Sequence, residues 1–421
     1  MVFRIFNCVG IFRTELDGVL LMAAAAANPD VFAGRELTFG ALPPDITYLT
    51  NALRAVAHAA ANRGIMSAEL KLGVVYHPHL RTMCARVAEQ AEALGITVIV
   101  APRSWRTVAS EQPLESNATD ERVDTVLREL RADGVNFVVG CVYVGGGMAV
   151  MEGMERVDYA PHAVALTSTV DISNYQARVG NGWWQGEYAL GVSPWHSSLT
   201  HRGNFSGMDS AEFLQRYHTR YSETPSYHGP ASFAVVCALA AAIEGAGSVN
   251  PRDVAARLRG LKLQEFGFYS PIDFSQAGGQ NVPEMLVVQF PPGGTDLKIV
   301  YPERVPSTSV GIIQFPMPLW GKRRCSKLGP GVKYGDQLPL VARPTSECFG
   351  HGTCVVDYAD VVSRDKHEVY KCKCDVDTFG EWSGKSCEVY MKLSNHNTGI
   401  PGWIIALVVV CGLALVGVSL K

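Results

Sequence analysis

Six cysteines crowd into one stretch of this chain, Cys325, Cys348, Cys354, Cys372, Cys374 and Cys387, whereas Cys8, Cys84, Cys141 and Cys237 are scattered and Cys411 stands alone. Thiols this dense either pair as disulfides or hold zinc, with His351 as an added ligand. Zinc modules are usually built on paired C-x2-C knuckles, which this spacing lacks, so three disulfides in an oxidising compartment are the favoured chemistry. Cys84 and Cys237 fall in helical patterns and read as core residues. His77 and His79 sit at the end of an apolar run with no third ligand in view, and no metal is expected there. Gly145, Gly146 and Gly147 lie between a strand-like run and a helix-like one, but without the spacing or the Lys-Ser/Thr pair of a phosphate loop. No nucleophile elbow, zincin helix or paired-carboxylate motif occurs. The chemistry expected is therefore binding, with no enzyme activity and no cofactor.

The elements that position these residues follow from the spacing of apolar side chains. At 421 residues, 47% hydrophobic and 18% charged, the chain is long enough for several domains. Its net charge of −3 carries no basic footprint, so nucleic acid is not an expected partner. Strands are expected over 71–76, 96–101, 135–143 and 162–169, and their near-continuous apolar character predicts a mostly parallel sheet. Between them Met83, Val87 and Leu94 share one helical face, as do Val123, Val126, Leu127 and Leu130. This β-α-β-α-β order predicts helices on both faces of the sheet. Farther along, Phe213, Leu214, Tyr217 and Tyr221 mark another helix, and residues 231–247, apolar nearly all round, read as a core helix. Asn250 and Pro251 have the residue types of an N-cap and a first helical position. Proline and glycine rise from 302 to 344, and residues 304–347 read as a linker.

The run from Ile400 to Leu420 has 21 residues and no charge. As a helix it would measure about 32 Å, enough for a hydrocarbon core of about 30 Å. A single transmembrane helix is expected there, with Trp403 near its start and the cysteine-rich side outside. At the other end, Arg13, Glu15 and Asp17 interrupt any signal-peptide core.

The stretches "NPDVFAGRELTFGALPPD", "LKLGVVYHPHL", "YALGVSPWHSSL", "FLQRYHTRYSETPSYHGPASFAVVCALAAAIE" and "VAARLRGLKLQEFGFYSPIDFSQAGGQN" resemble the type I periplasmic binding proteins that take branched-chain amino acids and amides. The resemblance covers about residues 20–303. It implies a two-lobe α/β fold whose lobes are joined by three crossings and close on a small ligand. "TFGALPPD", "YALGVSPWH" and the segment from Phe268 to Phe274 would be the crossings, and residues 45–182 the second lobe. The family's first lobe has strands and helices ahead of the matching region, so the chain is expected to be an incomplete part of a larger receptor. A second resemblance lies in "CFGHGTC", "CKC" and "GKSC", which are similar to an epidermal-growth-factor-like module over residues 348–388. Its order implies Cys325–Cys354, Cys348–Cys372 and Cys374–Cys387 pairs.

Open α/β sheets bind ligands at the carboxyl ends of their strands. Laid on the expected elements, that rule selects Tyr76, His77, Cys141, Tyr143, Thr167 and Ser168, with Trp195 just past the second crossing, as ligand-binding residues. Asn117 and Asn204 head glycosylation sequons. The reading is the extracellular sensing region of a single-pass membrane receptor for an amino-acid- or amide-like ligand. A membrane-tethered substrate-binding protein for a transporter and an adhesion-type protein are the alternatives. The expected partners are that ligand, the membrane and a second copy of the chain.

Overall fold

The computed structural model describes residues 15–77, 80–99, 106–107, 121–172, 175, 179, 183–275, 277–282, 284–292, 296–320, 323, 352–357, 369–374, 380–383 and 389–392. It divides into two compact units: residues 1–323 with 339–344, and residues 324–338 with 345–421.

In the larger unit, two short parallel strands, β1 (Leu21–Ala23) and β2 (Thr38–Gly40), come first. An eight-stranded sheet follows, built on β3 (Lys71–Tyr76), β4 (Thr97–Val98), β5 (Arg106–Thr107), β6 (Phe137–Cys141), β7 (Ala163–Leu166) and β8 (Leu190–Ser193), all in parallel pairings. A two-stranded antiparallel ribbon, β9 (Lys262–Leu263) with β10 (Ile272–Asp273), stands apart. The sheet is completed by β11 (Leu286–Gln289) and β12 (Lys298–Tyr301), both antiparallel to their neighbours. The strand order is β12-β11-β8-β7-β6-β3-β4, with β5 also beside β3.

The parallel core matches the near-continuous apolar runs, because a strand covered on both faces needs apolar residues at every position. All five residues of β6 and all four of β7 are buried. Alternate residues sort to opposite faces. Leu72, Val74, Phe137 and Val139 join the helices α1 (Thr50–Ala61), α2 (Arg81–Cys84) and α3 (Val87–Ala93) in one core. Val75, Val138 and Leu166 join α4 (Glu121–Ala132) and α5 (Val144–Arg156) in another. The single helix expected around Met83 and Leu94 is broken between α2 and α3, and among the described residues of the second expected strand, Thr97–Val98 are extended in the sheet.

A third core lies around β1, β2, β9 and β10 and the helices α7 (His228–Ala246) and α8 (Pro251–Arg259) that follow α6 (Ser210–Tyr221). The α8 start is as its residue types require: the Asn250 side chain accepts from the Arg252 amide at 2.9 Å, and Pro251 opens the helix. Among the described residues α7 is long and apolar enough to cross a membrane, yet Ala231, Ala234, Val235, Ala238 and Ala242 on it line this core.

Two boundaries differ from those expected. The second-lobe sheet does not stop at residue 182, because β8, β11 and β12 belong to it. Residues 304–320 and 323 are not linker. Ser307 bridges to Leu199 and Val310 to Ile299, the Met317 amide donates to the His162 carbonyl at 2.8 Å, and the Trp320 indole donates to the Tyr159 carbonyl at 2.8 Å. Trp320 and Arg323 are fully buried, with the Arg323 guanidinium 3.8 Å from the Trp320 ring centroid and bonded to the Gln185 and Glu187 carbonyls.

In the smaller unit β13 (Gly352–Asp357) pairs with β14 (Val369–Cys374), placing Cys354 opposite Cys372 in register, and β15 (Gly380–Ser383) pairs with β16 (Val389–Lys392). The three bridges expected in this stretch, the apolar run 400–420 and the Asn117 sequon lie outside the described residues.

Candidate functional site

Tyr76 ends β3 and pairs with Cys141 at the end of β6, while Gly140 pairs with Leu166 at the end of β7. Three strands therefore deliver their carboxyl ends to one edge, and six of the seven expected ligand residues gather along it. Tyr76 is buried, the His77 amide donates to the Cys141 carbonyl at 2.9 Å, and its ring stands edge-on to Tyr143 at 5.0 Å. Tyr143 is 48% exposed. Ser168 holds a left-handed φ of 45°, uncommon for a non-glycine residue, and its hydroxyl reaches the Tyr227 phenol.

Two of these residues are committed elsewhere. Cys141 is not available to a ligand: it is fully buried and bonded to Cys84, with Cα atoms 6.0 Å apart. Cys84 closes α2 directly over the end of β6, which is why the two thiols meet. Among the described cysteines Cys237 is free and buried. Thr167 is likewise fully buried, its hydroxyl oxygen accepting from the Val142 amide at 2.9 Å and the hydroxyl donating to the Val142 carbonyl at 3.1 Å. It ties β7 to β6 rather than facing a ligand. Of the glycines 145–147, Gly147 has a packing role, because a Cβ there would lie 2.2 Å from Thr169 Oγ1.

Trp195 does line a cavity of about 550 Å³. Its wall is made by Val170, Asp171 and Ile172 after β7, Ser193 at the end of β8 with Trp195 to Ser198 beyond it, Thr224, Pro225 and Tyr227 ahead of α7, Phe290 and Asp296 to Leu297 between β11 and β12, and Thr308 and Ser309 beyond β12. The other six expected residues do not line it. Sequence reasoning missed Asp171, Tyr227 and His196. The one signal for Asp171 was a lone carboxylate after a strand end, in "TSTVDIS".

Asp171 dominates the cavity's electrostatics. Both carboxylate oxygens are buried and neither makes a hydrogen bond of normal geometry, although the residue's own amide and the Ser193 hydroxyl lie near enough to draw the carboxyl partway down. The Ser193 hydroxyl beside it donates instead to the Trp195 carbonyl at 2.8 Å. Burial without a charge partner pushes the Asp171 carboxyl up to about 7. Tyr48 and Tyr227 stand close, and burial next to this carboxylate raises both phenols. Asp45, near Tyr48, is raised by its own burial, with one oxygen unpartnered. His196, also lining the cavity, is half-buried, and desolvation drives it down to about 4, hence neutral. Its Nδ1 accepts from the Ser198 amide at 3.2 Å, which fixes the tautomer, so the Ser198 hydroxyl donates to the same nitrogen at 2.6 Å. Among the described residues no group of three or more His, Cys, Asp or Glu could hold a metal ion.

A parallel sheet whose strand ends meet crossings and a polar cavity is the arrangement of a small-ligand trap. The family model for periplasmic binding proteins matches residues 17–295. The chain belongs to the periplasmic binding protein family. Solved structures share the fold. One, a putative branched-chain amino acid transporter from Silicibacter pomeroyi, is 16% identical with a TM-score of 0.58, covering 72% of this chain and 77% of its own. A leucine binding protein from Thermotoga maritima is 15% identical with a TM-score of 0.52, covering 68% and 74%. A branched-chain amino acid transporter substrate binding protein from Streptococcus pneumoniae, solved with isoleucine, is 13% identical with a TM-score of 0.53, covering 70% and 76%. As a periplasmic binding protein the chain joins β8 to the third core through Trp195 and His196, the segment expected as the second crossing. Asn204, the sequon within the described residues, is exposed.

Proposed function

We propose that this periplasmic binding protein captures a small amino-acid- or amide-like molecule outside the cell, as the sensing region of a single-pass membrane receptor. The observation that carries the capture is Asp171, a buried carboxylate without a partner on the wall of a 550 Å³ cavity. An unpaired buried charge costs several kcal/mol, and a ligand ammonium or amide N–H removes that cost. Isoleucine in the Streptococcus pneumoniae protein is in keeping with such a ligand. The apolar run 400–420 and the cysteine-rich stretch support the membrane-anchored half of the reading. A tethered substrate-binding protein serving a transporter is the second reading, favoured by the fold neighbours, which are transporter components. Co-purification of the full chain with a permease would select the second.

Thermal-shift screening of amino acids and amides on the full chain in detergent tests the capture. A cognate ligand at 100 times its dissociation constant should add about 2.7 kcal/mol of stability. Asp171→Asn should abolish the shift for ammonium-bearing ligands. No shift with any member of either class, nor with the corresponding amines, removes the reading.

A further inference from the structure

We infer that the cavity selects an organic cation with no carboxylate of its own, a primary amine on an apolar body, over a zwitterionic amino acid. The inference rests on the capture reading above and concerns which ligand the same cavity takes.

Charge comes first. The described residues lining the cavity include two carboxylic acids, Asp171 inside and Asp296 at the exposed rim, and no Lys or Arg. His196 is neutral, and Lys298, a cation whose field reaches His196, does not line the wall. A ligand carboxylate would be buried next to Asp171 with nothing of opposite sign to face it.

Hydrogen bonding points the same way, because most of the wall's donors are already spent. The Ser193 hydroxyl donates to the Trp195 carbonyl at 2.8 Å, and the Trp195 indole to Ser210 Oγ at 3.0 Å. The Ser198 hydroxyl is used by His196 at 2.6 Å, and the Ser309 hydroxyl by the Leu297 carbonyl at 3.3 Å. Ser197, Thr224 and Thr308 keep hydroxyls for a ligand, but hydroxyls accept as readily as they donate. What the wall offers is acceptors, headed by two empty carboxylate oxygens. An ammonium brings three donors and no acceptor, so it matches this wall where a carboxylate does not. Val170, Ile172, Leu297 and Phe290 supply apolar surface for the rest of such a molecule.

Four compounds of one shape separate the cases: isopentylamine, leucine, 4-methylpentanamide and 4-methylpentanoate, titrated calorimetrically against the full chain in detergent at pH 8. The amine should bind at least about tenfold more tightly than leucine, and the carboxylate not at all. Asp171→Asn should weaken the amine about 30-fold or more and leave the amide within about threefold, which also shows that the variant is folded. Leucine or the amide binding as tightly as the amine overturns the cation inference while leaving ligand capture standing. Tight binding of the carboxylate overturns it as well. If none of the four binds, both the inference and the capture reading fall.

Discussion

Asp171 keeps its carboxyl protonated to near neutrality because burial penalises the charged form and no described cation faces it; its neighbours are the Tyr48 and Tyr227 phenols and the Ser193 hydroxyl. The folded value of about 7 exceeds the unfolded value of 3.8. The folded state therefore holds this proton more tightly, and its contribution is fully present below the unfolded value. It is lost as pH rises from about 4 through about 7, amounting to as much as ~4 kcal/mol. Asp171→Asn should accordingly unfold at higher urea than the parent at pH 8 and lose that advantage at pH 4; equal differences at both pH values would contradict the burial argument. An ammonium ligand holds the carboxylate ionised. Its affinity should therefore rise with pH between about 6 and 8 in calorimetry, and this slope should disappear in the variant. The sequence showed Asp171 only as an isolated acid after a strand. What makes it special, the absence of a partner, is a property of surroundings drawn from β8 and from the start of α7, and periodicity carries no information about those.

The helix α5 meets the end of β7 at Gly147, where any side chain collides with Thr169. Gly147→Ala should lower stability by roughly 2 kcal/mol or more in urea melts, and Thr169→Ala in the same chain should return part of that loss, the signature of a shared contact. Losses that simply add would show that the clash is not the cause. The strands and most helices were legible in the sequence because a buried parallel strand and an amphipathic helix each write their period into adjacent residues. Residues 304–320 and 323 were not. Their Pro- and Gly-rich composition resembles a linker, and the burial of Met317, Trp320 and Arg323 rests on carbonyls of Tyr159, His162, Gln185 and Glu187, far away in sequence. The Thr308 and Ser309 wall of the cavity was missed with them. Arg323 sits in a short basic cluster that reads as surface, and the Trp320 and Tyr188 rings, the Met317 sulfur and the two carbonyls explain its place inside.

Over the whole larger unit, the Cys84–Cys141 bond fastens the α2 side of the sheet to the strand edge across a separation of 57 residues. A loop of that size makes the bond worth about 4 kcal/mol through the unfolded chain. Cys84→Ser with Cys141→Ser should lose about that much in urea melts, and non-reducing peptide mapping should recover the linked pair; two free thiols there would contradict it. Because both sulfurs are buried, reductant should act only once the unit opens. The sequence assigned Cys84 to the core and Cys141 to a ligand, since pairing across two elements is decided by their docking. The exit at Arg323 has a mechanical meaning. Beyond it the chain passes to the second unit, and the last residue before that passage is bolted by its guanidinium to Gln185 and Glu187, just upstream of β8. The far end of β8 runs into Ser193, Trp195 and His196, the wall of the cavity. The clamp that holds Arg323 and the wall of the cavity therefore sit at opposite ends of one four-residue strand.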